Sequence, residues 1–104
     1  MNITCVADKS FPASVRDTVD RLASARFTRF GRSVRSVDAT VTDENGPRGG
    51  VDIRCQVRVQ LGGGRRVVIR QTAATLREAL SGAFERAGHT VAKKIHRDRR
   101  RAAA

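Results

Sequence analysis

Between Val51 and Leu61 every second residue is apolar: Val51, Ile53, Cys55, Val57, Val59 and Leu61 alternate with Asp52, Arg54, Gln56, Arg58 and Gln60. An extended strand puts alternate side chains on opposite faces, so this run predicts a strand with one face in a core and the other in water. Gly62-Gly63-Gly64 follows, and glycine supplies the positive φ values that a tight hairpin connection needs. A second strand returns over Arg65 to Gln71, with Val67 and Ile69 on one face and Arg66, Val68 and Arg70 on the other. A chain with this hairpin must build a sheet with one wet side, because burial of both sides would demand continuous apolar runs.

The remaining segments read by the same periods. Val37, Ala39 and Val41 alternate with Asp38, Thr40 and Thr42, which gives a third strand, and the turn formers Asp43 to Gly50 separate it from the run after them. Asn2 to Ala7 reads as a short strand with Ile3 and Cys5 on one face. Ser10-Phe11-Pro12 signals a helix start with Pro12 in the first turn; Val15, Val19, Leu22, Ala23 and Phe30 share one helical stripe, and Gly31 stands where a left-handed C-terminal residue belongs. Thr75-Leu76-Arg77-Glu78 matches a capping box, and Leu76, Leu80, Ala83, Phe84, Ala87 and Val91 form the apolar face of the helix it opens. Phe11, Phe30 and Phe84 fit the core, with Phe27 at its margin.

The expected fold is therefore α+β, in the order β-α-β-β-β-α, a four-stranded sheet with two helices packed on one face, like a double-stranded-RNA-binding domain. A right-handed crossover joins the first two strands. One domain spans residues 1–97, and residues 98–104 read as a basic, disordered tail.

Charge narrows the function. Of 104 residues, 21 are Lys or Arg and 10 are Asp or Glu, a formal net charge of +11, which asks for a polyanionic partner such as nucleic acid or an acidic membrane surface. No stretch approaches the roughly 20 apolar residues that span a bilayer, and Met1-Asn2-Ile3-Thr4-Cys5 lacks the layout of a signal peptide, so the expectation is cytoplasmic. Cys5 and Cys55 then read as reduced, buried thiols, and with His89 and His96 they match no common zinc spacing. His89 and His96 read as surface residues, and no serine has an evident base and orienting partner nearby in sequence. The triple glycine lacks the Lys and Ser or Thr of a phosphate-binding loop. No enzymatic activity, cofactor, metal or small-molecule substrate is expected.

On the second helix Lys93, Arg97 and Arg100 fall within about 40° of Arg86 at the helical rotation of about 100° per residue, an uninterrupted basic stripe, and Lys94 lies nearer the apolar face. The first helix adds Arg16, Arg21, Arg26, Arg29 and Arg32, with Arg35 just beyond. A solubilising face normally mixes signs, whereas two helices on one side of a sheet would here form one basic surface with a groove between them. With four Phe and no Trp or Tyr there is little to stack unpaired bases on, so contacts to the phosphates of folded or double-helical RNA fit better.

The element order, the start Met1-Asn2-Ile3-Thr4, the helix opening Pro12-Ala13-Ser14-Val15-Arg16 and the run from Glu85-Arg86-Ala87 to Val91-Ala92-Lys93-Lys94 together resemble the ribosome hibernation-promoting factor and ribosome-associated inhibitor family, also called sigma-54 modulation proteins. Asn45-Gly46-Pro47-Arg48-Gly49-Gly50-Val51-Asp52, followed by Cys55, looks like the signature of a divergent branch, and the length matches the short form. The resemblance implies a non-enzymatic factor that binds 16S rRNA of the small ribosomal subunit, in the channel used by mRNA and tRNA, and blocks translation in stationary or stressed bacteria. Carried onto this sequence, the rRNA-binding residues are Arg21, Arg26 and Arg29 on the first helix and Arg86, Lys93, Lys94, Arg97 and Arg100 on the second. The family's second helix usually opens with an aromatic and acidic pattern that Leu76-Arg77-Glu78-Ala79-Leu80-Ser81 does not keep. A different class of function is a protein-interaction module that modulates a stress or transcription regulator through the sheet edge near Arg65 to Gln71 or its wet face.

Overall fold

The computed structural model describes residues 1–44 and 52–103. Six regular elements follow in order: β1 Asn2–Ala7, α1 Val15–Phe27, β2 Val34–Asp43, β3 Ile53–Leu61, β4 Arg66–Ala73 and α2 Leu76–Ala103. The strands form one sheet in the order β1-β2-β3-β4, with β1 and β2 parallel and the other two pairings antiparallel. This is the expected β-α-β-β-β-α architecture. Asn45 to Val51, the segment read as turn formers, branch signature and first strand residue, lies outside the described residues.

The two-residue alternation decides what faces the helices. Val37, Ala39 and Val41 on β2, Ile53, Cys55, Val57, Val59 and Leu61 on β3, and Val67 and Ile69 on β4 are all buried. In register, Val37 stands opposite Val59, Ala39 opposite Val57 and Val41 opposite Cys55, so aliphatic rows cross the sheet. Between Val34 and Ser36 the register shifts, so that Val34 also reaches the core. Helix α1 covers β1 and part of β2, while α2 covers β3 and β4.

Each helix departs from the sequence reading at particular residues. Helix α1 begins at Val15, beyond Pro12. Two tight turns carry the chain there: Phe11 N donates to the Asp8 carbonyl at 3.0 Å and Val15 N to the Pro12 carbonyl at 3.1 Å. The first α-type bond, from Thr18 N to the Ser14 carbonyl at 3.1 Å, comes only afterwards. At its other end α1 stops at Phe27, and Thr28–Ser33 tightens into a 3₁₀ stretch. Gly31 does take a positive φ, 56°, but inside that stretch. The tightening shifts Phe30 off the α1 stripe to a half-buried position and leaves Phe27 completing Val15, Val19 and Ala23. Phe27, expected at the margin, is thus 0% exposed, with its ring centroid 6.2 Å from that of Phe84.

Helix α2 opens as read: Glu78 N donates to Thr75 Oγ1 at 3.2 Å. Its buried face is wider than expected, because Ala79 and Ile95 join it. The helix also continues through residues 98–103, where a disordered tail was expected. Asp98 there pairs with Arg65 beside the β3–β4 turn, and Ile95 packs into the core, so the last turns have tertiary anchors that sequence periodicity does not display. Gly63 and Gly64 supply the turn's positive φ values, 76° and 77°.

Candidate nucleic-acid interface

Every charged side chain among the described residues lies at least partly in water, so the candidate site is a matter of surface placement. Helices α1 and α2 lie side by side on the sheet and leave a cleft. At one end Arg21 and Arg77 flank a floor of Leu22, Leu76 and Leu80. At the other end Arg26 and Arg29 of α1 and the following turn face Gly88 and His89 of α2. Gly88 packs beside Arg26 here: a Cβ at this position would meet Arg26 Cδ at 3.5 Å, an ordinary van der Waals contact. Arg29 rests on the Phe30 ring, 4.6 Å from its centroid, which fixes the guanidinium at the cleft mouth. No acidic side chain among the described residues lines either end.

The second-helix stripe lies elsewhere. Arg86 Nη1 donates to the Arg70 main-chain oxygen at 2.8 Å and to Gln71 Oε1 at 2.9 Å, so its guanidinium folds onto the β4 edge. Lys93 and Arg97, within about 20° of Arg86 on the helical wheel, share that side of α2, away from α1. Both are exposed, as is Arg100, whereas Lys94 is half-buried. The wheel reading centred the stripe well away from the apolar face; burial of Ala79 extends the packed arc almost to Arg86 and turns the stripe toward the sheet edge. The structure therefore brings together Arg21, Arg26 and Arg29 in the cleft and separates them from Arg86, Lys93, Arg97 and Arg100. Arg77 and His89 complete the two ends of the cleft and were missed as a pair, because their twelve-residue separation puts them about 120° apart on the helical wheel.

Other chemistry is sparse among the described residues. No three of His, Cys, Asp and Glu group so as to hold a metal, and no helix is long and apolar enough to cross a membrane. Both cysteines are free thiols. Cys5 pairs with Ala39 and Cys55 with Val41, so a whole strand separates them, roughly 10 Å of lateral spacing. Burial pushes the Cys55 thiol up to about 12, with a smaller contribution from the Cys5 thiol. Burial also raises Cys5, partly offset by the Arg16 guanidinium, with Asp20 adding to the rise.

The comparison with family models and the comparison with curated proteins return no match. The comparison with solved structures does, and it defines the class of fold: a four-stranded sheet with two helices packed on one face. One is a ribosomal subunit interface protein from Coxiella burnetii, similar at a TM-score of 0.69 and 8% identity over 92% of this chain and 99% of that one. Another is the N-terminal domain of Thermus thermophilus Protein Y, with a TM-score of 0.63 and 19% identity over 88% of this chain and 96% of that one. At such identities the likeness carries the fold.

Proposed function

We propose that the chain is a ribosome-associated factor that binds 16S rRNA in the mRNA and tRNA channel of the small subunit and holds translation off. The observation that carries this reading is the acid-free cleft in which Arg21 and Arg77, then Arg26, Arg29 and His89, line the two ends. Cations spaced along a cleft between two helices suit the phosphates of folded RNA, and the fold shared with a ribosomal subunit interface protein supports ribosomal RNA as the partner. Binding by such contacts needs no cofactor and no catalysis. Pairing of a regulator with the β4 edge is less favoured, because Arg86 already occupies the Arg70 carbonyl there.

Sedimentation of a growth-arrested lysate through a sucrose gradient tests the reading. The protein is expected with small subunits or whole ribosomes at low salt and at the top of the gradient at high salt. Arg26→Glu with Arg29→Glu should release it while leaving the fold intact by circular dichroism. A protein that stays at the top at low salt, or a folded double variant that sediments like the wild type, rejects the proposal.

A further inference from the structure

The open face of the β3–β4 hairpin carries a second basic arrangement, distinct from the cleft. Arg54 and Arg58 on β3 and Arg66 and Arg70 on β4 are all exposed, at the positions that alternate with the buried residues. The register places Arg66 opposite Gln60, Arg58 opposite Val68, Arg70 opposite Gln56 and Arg54 opposite Thr72. From the turn outward, each successive cross-strand pair on this face thus contains one arginine, contributed alternately by β4 and β3. Each step advances two residues, about 7 Å along the hairpin.

The ladder is ended and aimed by its neighbours. Arg54 Nε lies 3.5 Å from Glu44 Oε1, which neutralises the far rung. Gln56 Oε1 accepts from Arg70 Nε at 3.0 Å, and the two Nη groups of this exposed side chain have no hydrogen-bond partner among the described residues. Asp38 stands opposite Arg58 in the β2–β3 register, but its carboxylate accepts from Thr4 Oγ1. Among the described residues Arg58, Arg66 and Arg70 have no ion-pair partner.

We propose that this face holds an extended single strand of nucleic acid by its phosphates, one phosphate to each rung. The ladder is one charge wide and advances in steps comparable with the spacing of successive phosphates along an extended strand, whereas a lipid surface would be met by a broad patch. No aromatic residue lies on this face, so the strand is held without base stacking, and binding is sequence-tolerant and salt-dependent. The site goes beyond the proposed rRNA reading, uses none of the cleft residues and stands or falls separately from it.

Fluorescence anisotropy of a 5′-fluorescein-labelled 12-nucleotide polyuridine, titrated with the full chain between 50 and 200 mM salt, about the range over which phosphate contacts weaken steeply, tests the site. Arg58→Glu with Arg70→Glu should weaken binding about tenfold or more, and Arg58→Gln with Arg70→Gln should lower the slope of log K against log salt by about 1.4. The charge-matched control Arg99→Glu with Arg101→Glu, on exposed positions of α2 outside both basic arrangements, should bind within about twofold of the wild type; the cleft variant Arg26→Glu with Arg29→Glu is measured beside it, and circular dichroism confirms that each variant is folded. Undiminished binding by the Arg58 and Arg70 variants, loss confined to the cleft variant, or no wild-type binding at the lowest salt overturns the proposal. So does displacement of the labelled strand by polyglutamate as effective as by unlabelled polyuridine, which would show a general acidic-polymer site. Ribosome sedimentation of the Arg58 and Arg70 variants reports separately on the cleft.

Discussion

Arg86 on α2 and Arg70 on β4 meet through a hydrogen bond of 2.8 Å from the Arg86 Nη1 to the Arg70 main-chain oxygen, and the Gln71 side chain accepts from the same nitrogen. The contact sews the helix to the free edge of the sheet and satisfies a carbonyl that an incoming strand would otherwise use. Arg86→Ala should therefore lower stability by about 1 kcal/mol in urea unfolding, and Arg86→Lys should recover part of it. An unchanged urea midpoint in the alanine variant would show that the contact is not maintained in solution.

Phe27 is the pivot between the helices and the sheet, with no exposed surface and with Phe84 and Phe30 within 6.2 and 6.5 Å between ring centroids. Phe27→Ala should cost about 3 to 5 kcal/mol, the range for deleting a buried aromatic ring. Phe30→Ala, at a half-buried position, should cost clearly less. Thermal unfolding of the two variants side by side checks the order, and equal losses would contradict the packing.

The different fates of these two rings show what was legible in the sequence. Period-two alternation fixes a residue's face wherever a strand persists, so the inward sets of β2, β3 and β4 were readable residue by residue. Helical period puts position 30 on the α1 stripe and position 27 at its margin, and only the onset of the 3₁₀ stretch reverses the two. The same limit applies to the site. Arginines on both helices were visible, but which flank of α2 faces α1 depends on how the two helices pack over the sheet, and that is a property of the assembled pair.

Gly88 is a helical glycine with ordinary room around it, since the nearest atom to an added Cβ is Arg26 Cδ at 3.5 Å. Gly88→Ala should stabilise the protein by up to about 1 kcal/mol, through lower backbone entropy in the unfolded chain and better helix propensity. A higher urea midpoint with an unchanged slope is the expected result; a lower midpoint would mean that the interhelical approach is tighter than the geometry indicates.

Cys55 links stability to alkaline pH. Its thiol titrates near 9.0 when unfolded and near about 12 when buried. Above pH 9 the unfolded state therefore releases a proton that the folded state keeps, fewer protons are bound on unfolding, and stability falls as pH rises. The loss from this group approaches about 1.4 kcal/mol per pH unit above pH 9 until the folded thiol itself ionises, and the slope fades out as pH falls below 9. Urea unfolding from pH 8.5 upward should show this slope in the wild type and lose most of it in Cys55→Val over roughly two pH units, the remainder coming from the less strongly raised Cys5 thiol. Parallel profiles would place the thiol in a wetter environment than the one described.

Among the described residues helix α2 is the main cover for β3 and β4, and it follows them in the chain. During synthesis the hairpin leaves the ribosome with Val57, Val59, Val67 and Ile69 bare, and the residues that hide them, Leu80 to Ile95, emerge on the order of a second or more later. In that interval the nascent chain presents a pleated aliphatic face of high strand propensity, the kind of surface on which newly made chains adhere to one another. The arginines on the opposite side of the same strands keep the nascent hairpin charged throughout the wait, so like-charge repulsion guards the chain before its own helix can.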